Sequence, residues 1–155
     1  MTYRIEGLDP AHFQHLFALD EAGLAALNAR RVVADADRGF PCRVSLEDAR
    51  AGETLILFNH VSHDVATPFR SSYAIYVREG AEQADPFEDR EPPVFAGRPL
   101  AFRAFDAEGM LRNARLAPPG EADSAIRALF DDPGIAYLHA HNAAHGCYAA
   151  RVVRS

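Results

Sequence analysis

The chain has 155 residues, 48% hydrophobic and 25% charged, the size and mixture of one ordinary globular domain able to bury roughly 68–70% of its unfolded surface. A formal net charge of −6, with no basic tract longer than Arg30-Arg31, argues against nucleic acid or an anionic membrane surface as partner. All sixteen cations are arginine, which excludes Schiff-base chemistry, a phosphate-loop lysine and lysine general bases, since each needs an amine that can lose its proton near neutral pH.

In chain order, "LDPAHFQHLFALDEAGLAALNARR" predicts helix, with Asp9 as cap, Pro10 at the first helical position, and Phe13, Leu16, Phe17, Leu24 and Leu27 on one stripe. Asp20 can start a second segment. His12 and His15 lie three apart there and read as solvated surface residues. A strand follows around "RRVVAD". In "GFPCRVSLEDARAGE", glycine, proline and a polar run predict a loop with a short helical turn capped by Ser45.

"TLILFNHV" is apolar on both alternations, as in a central strand covered on two faces, and "SSYAIYVRE" is a further strand. The "SHDVATPF" between them reads as a loop, held extended before Pro68, with His60 and His63 as loop polar residues. Residues 80–99 combine acidic residues, four prolines and two glycines without periodicity, which predicts a long surface loop. "LAFRAFDAEGMLRNARLA" is a hairpin whose turn uses Asp106 as a cap and Gly109 at positive φ. "PPGEADSAIRALFDDPG" is a helix with Ala122, Ala125, Ile126, Leu129 and Phe130 on its buried stripe, ended by Pro133-Gly134.

The tail "YLHAHNAAHGCYAARVV" predicts two strands around a tight connection. Tyr137, His139 and His141 then share one face, and Leu138, Ala140 and Asn142 the other. A five-residue connection from Asn142 to Gly146 would put His141 opposite Cys147; a two-residue turn at His145-Gly146 would put Cys147 opposite Ala144. The sequence leaves both registers open.

Three kinds of chemistry follow from these segments. His139, His141 and His145 are candidate metal ligands, imidazoles being good donors, but their spacing is not a zinc-finger pattern and no metal or other cofactor is expected. Cys147 is a candidate nucleophile with His141 or His145 as its base and Asn142 as the orienting group. Arg70, beside Ser71 in "ATPFRSSY", offers a fork and hydroxyls that suit a carboxylate or phosphate. The competing reading makes the tail residues turn-formers and core-fillers, and pairs Arg70 with a carboxylate.

The stretches "GFPCRVSLEDARAGETLIL", "TPFRSSYAIYVREGA", "RAFDAEGML" and "DPGIAYLHAHNAAHGCYAARVVR", from residue 39 onward, together resemble a bacterial family designated domain of unknown function 1203. The resemblance implies one compact bacterial domain and no particular activity. Pro41, Cys42, Arg43, Pro68, Arg70, Asn142, Gly146 and Cys147 match its pattern, whereas His141 and His145 fall where other members often differ. That turns attention to Arg43, Arg70, Asn142 and the two cysteines.

The expectation is therefore a single α+β domain over residues 1–155, with a largely antiparallel or mixed sheet and two or three helices packed on it. No apolar run approaches the roughly 20 residues of a membrane span, and "MTYRIEGLDP" does not resemble a signal peptide, so the expected setting is cytoplasmic with Cys42 and Cys147 as reduced thiols. The expected role is non-catalytic: binding a small anionic metabolite or a protein partner through Arg43, Arg70, Ser71 and Asn142, with a homodimer compatible with the sequence. The alternative is an enzyme using Cys147 as nucleophile or a histidine-bound metal for hydrolysis.

Overall fold

In the computed structural model, which describes residues 1–155, the N-terminal apolar stripe forms three short pieces where one or two helices are expected: a 3-10 turn at Pro10–His12, α1 (Gln14–Phe17) and α2 (Glu21–Ala26). The cause is local. Asp9 caps the first turn by accepting from the N–H of Ala11 at 2.9 Å, and Asp20, in an extended conformation, accepts from Gly23 at 2.8 Å and so restarts the helix. Phe13, Leu16 and Leu24 still point inward, while His12, His15 and Leu27 are exposed.

Nine strands form two antiparallel sheets. The smaller has the order β2 (Arg30–Val33), β3 (Thr54–His63), β4 (Ser71–Arg78). The larger is built from β1 (Tyr3–Glu6), β5 (Phe87–Glu88), β6 (Leu100–Phe105), β7 (Leu111–Ala117), β8 (Tyr137–Asn142) and β9 (Tyr148–Arg154), in the order β5-β1-β9-β8-β6-β7. The chain is thus α+β as expected, with the single expected sheet divided in two. The one parallel contact is an isolated bridge between Cys42 and Tyr76.

α3 (Ala122–Phe130) covers one face of the larger sheet, its stripe of Ala122, Ala125, Ile126, Leu129 and Phe130 buried as the periodicity requires. Each of its three large apolar side chains contributes about 1.5–3 kcal/mol by leaving water. Beneath them, Leu138 and Ala140 of β8 and Val152 of β9 belong to the same core. Residues 80–99 are less peripheral than their composition suggests: Val94 and Phe95, in a 3-10 turn after Pro92, are buried in that core. Ser45 caps no helix; its hydroxyl is buried without a hydrogen bond, and Leu46 takes a φ of 55°.

The opposite face of the larger sheet meets the smaller one through a layer of aromatic and imidazole rings. β3 runs past His60 to His63, and a bulge between Val61 and His63 turns His63 inward, so the expected loop histidine is buried. His63 lies 4.0 Å from the Phe105 ring and 5.1 Å from the His139 ring, centroid to centroid. Tyr73 of β4 lies 4.9 Å from the His141 ring and accepts a hydrogen bond from Arg103.

The hairpin between β6 and β7 forms as its sequence requires, with Asp106 accepting from Glu108 and Met110 and with Gly109 at a φ of 84°. No helix is long and apolar enough to cross a membrane.

Candidate functional site

β8 and β9 pair as the tail predicts, but in neither of the two expected registers. Ala140 faces Ala150 and His141 faces Tyr148, the ladder shifting between them. The connection closes on Asn142, whose N–H donates to the Cys147 carbonyl at 3.0 Å and whose carbonyl accepts from Gly146 at 2.8 Å. Four residues, Ala143 to Gly146, make the turn, with Gly146 at a φ of 78°, a conformation costly for any residue with a Cβ. His141 is therefore opposite Tyr148, not Cys147.

That bulged register sends the tail's chemistry in two directions. His139 and His141 enter the layer between the sheets, 4% and 2% exposed, while His145 is exposed on the loop. The three candidate metal ligands do not converge, and no group of three or more His, Cys, Asp or Glu side chains is placed to hold an ion.

Within the layer, His63 donates through Nδ1 to the Phe69 carbonyl at 2.9 Å, so its Nε2 accepts from the Tyr137 hydroxyl at 2.7 Å. His141 donates through Nδ1 to the Gly146 carbonyl at 2.9 Å. Burial, aided by the nearby His63 and His141 and by Arg151 and Arg103 directly across the ladder, lowers the pKa of His139 to about 3. Burial likewise lowers His141 to about 4, against the hydrogen bond to Gly146.

Asn142, His145 and Cys147 instead line a cleft of about 610 Å³, which Arg43, Arg98 and Tyr76 also line. Arg43 is 3% exposed. Its Nε donates to the Tyr148 carbonyl at 2.8 Å, Nη1 to the Pro41 carbonyl at 2.7 Å and Nη2 to Cys147 Sγ at 3.3 Å. Asn142 Nδ2 lies 3.4 Å from the same sulfur. Both cysteines are free thiols, Cys42 fully buried and Cys147 partly exposed.

The two cleft arginines differ in how their charge is met. Arg98 grips Asp48 with Nη1 and Nη2 at 2.9 and 2.7 Å; burial opposes the Asp48 charge, but Arg98 holds its carboxyl below the usual range. Arg43 has no carboxylate: its hydrogen-bond partners are two carbonyls and a sulfur, and burial lowers its pKa against the pull of Cys147. A buried cation without an opposite charge is costly, which makes this wall of the cleft receptive to an anion. The loop adds donors, since the main-chain N–H groups of Ala144, His145 and Cys147 engage no protein acceptor.

Arg70 and Ser71 lie elsewhere. Arg70 is exposed and pairs with Asp64 at 3.1 Å, and the Ser71 hydroxyl donates to the Phe69 carbonyl at 2.6 Å. Neither lines the cleft. Of the four residues expected to bind an anion, the structure gathers Arg43 and Asn142, joins them to Cys147 and His145, and adds Arg98, which sequence reasoning passed over. The buried His63 was also missed, because only the bulge in β3 turns it inward.

No curated protein matches the chain, and no solved structure matches it. A family model described as "Protein of unknown function (DUF1203)" matches residues 39–154. This stretch contains Arg43, Arg98, Asn142 and Cys147, so the cleft lies within the part of the chain that defines the match, and the chain belongs to the DUF1203 family.

Proposed function

We propose that the protein binds a small carboxylated or phosphorylated molecule in the cleft beside Arg43, without needing to transform it. The observation that carries this reading is the Arg43 guanidinium, almost wholly buried in the cleft wall with no carboxylate to balance it. A ligand anion there would form charge-assisted hydrogen bonds with the guanidinium and take further donors from Asn142 and the main-chain N–H groups of Ala144, His145 and Cys147. The volume suits a metabolite-sized molecule. Arg70 and Ser71 have no part in this reading.

The test is thermal unfolding of the untagged protein with inorganic phosphate, malonate and citrate against chloride at matched ionic strength. At a hundredfold excess over Kd, binding contributes about 2.7 kcal/mol, a rise in Tm of roughly 5–10 °C for a chain of this size. Arg43→Met should lose that rise, whereas Arg70→Met should keep it. Equal Tm values in all four anions would refute the reading.

A further inference from the structure

We propose, building on the anion-binding reading of the cleft, that Cys147 is a thiol–disulfide exchange site for small disulfides that carry carboxylates. Three features of the cleft converge on this sulfur. Cys147 Sγ has the Arg43 Nη2 group at 3.3 Å and the Asn142 Nδ2 group at 3.4 Å, and both of these nitrogens are donors only. Donors of this kind interact more strongly with a sulfur that bears negative charge, and the thiolate is the nucleophile in exchange. Among the hydrogen-bond partners of Arg43, this sulfur is the one able to carry that charge.

The second feature is access. Cys147 is partly exposed and lines a cleft of about 610 Å³, whereas Cys42 is fully buried with its Sγ accepting from the Arg78 N–H. The protein thus contains an internal control thiol. The third is charge: a carboxylate on the incoming disulfide meets Arg43 and the free N–H groups of the loop beside the reacting sulfur.

The step balances without another reagent. Cys147 gives its thiol proton to solvent and the resulting thiolate attacks one sulfur of the disulfide; a new Sγ–S bond forms as the ligand's S–S bond breaks, and the departing sulfur leaves as a thiolate that takes a proton from solvent. Cys147 is oxidised, and one half of the disulfide is reduced. His141 takes no part in this step, since it lies between the sheets with its ring hydrogen-bonded to the Gly146 carbonyl.

The test incubates the reduced full chain with oxidised glutathione, a disulfide of net negative charge, or with cystamine, a cationic one, and follows intact mass and peptide maps over time. The expected result is one adduct on Cys147, reversed by dithiothreitol, absent in Cys147→Ser, and formed about tenfold faster with oxidised glutathione than with cystamine, with the preference shrinking in high salt. Equal or reversed rates, an adduct on Cys42, or no adduct while both thiols react in urea would overturn it. Stabilisation by malonate together with an inert Cys147 removes this inference alone. Absence of stabilisation by any anion removes the cleft reading and this inference with it.

Discussion

Arg43 and His139 are both buried, Arg43 without a carboxylate and His139 outside the hydrogen bonds around it, with different consequences. Arg43 satisfies two main-chain carbonyls, those of Tyr148 and Pro41, so Arg43→Met leaves acceptors unpaired at about 1–3 kcal/mol each while relieving the burial of a charge. The expected net effect is a loss of about 2 kcal/mol, read from the urea midpoint, together with loss of the response to anions. His139 is different: the hydrogen bonds of the layer join His63 to Tyr137 and Phe69, and His141 to Gly146, and none uses its ring. It acts as a flat space-filler among Phe105, Tyr137 and Tyr148, so His139→Phe should change stability at neutral pH by less than about 1.5 kcal/mol.

The tail hairpin is the element on which the site depends, because a shift of one residue would exchange the faces carrying imidazole and core side chains. Its four-residue turn rests on Gly146 at positive φ, and nothing crowds the position a Cβ would take. Gly146→Ala should therefore cost about 1–2 kcal/mol from backbone conformation alone, measured by chemical denaturation. The same element shows what was legible in the sequence. Alternation predicted the two faces of β8, and Asn142 and Gly146 marked the turn, because those signals are local. The bulge between Ala140 and His141 was not legible, since it goes with the burial of Tyr148 of β9 in a second apolar cluster that includes Leu16, Ile56 and Ile75 from distant parts of the chain.

The stripe of α3 and the Asp106–Gly109 turn were readable for the same local reason, as was the Asp20 cap. Arg43 could be singled out as a candidate anion ligand, but its burial could not. Its partners Tyr148 and Cys147 lie more than a hundred residues away, and only the folded chain brings them together. Arg70 was misleading because an arginine beside hydroxyls has the same signature whether it faces a ligand or, as here, an exposed Asp64.

Across the whole molecule, the two sheets are joined by buried neutral imidazoles, which makes their union sensitive to acid. His139 and His141 have folded pKa values of about 3 and about 4, below the ordinary value near 6.5, so the unfolded chain takes up protons first as pH falls. The stability they confer is complete above about pH 7 and declines as pH drops from about 6.5 toward 4. Two such groups amount to a loss of roughly 3–4 kcal/mol between about pH 7 and pH 5, checked by urea unfolding at both values. In His139→Phe the loss over that interval should be about half as large; a stability unchanged between the two pH values would contradict the buried neutral layer.

The function proposed for the cleft depends on where an anion sits. The most direct measurement is a proton–nitrogen NMR titration of the labelled protein with whichever of phosphate, malonate and citrate raises Tm most, observing main-chain amides and arginine Nε–H groups together. With an anion in the cleft, Arg43 Nε–H and the amides of Ala144, His145 and Cys147 should move together and saturate, while Arg70 Nε–H stays in place. Saturable shifts centred on Arg70 and Asp64, with Arg43 and the loop unmoved, would contradict it.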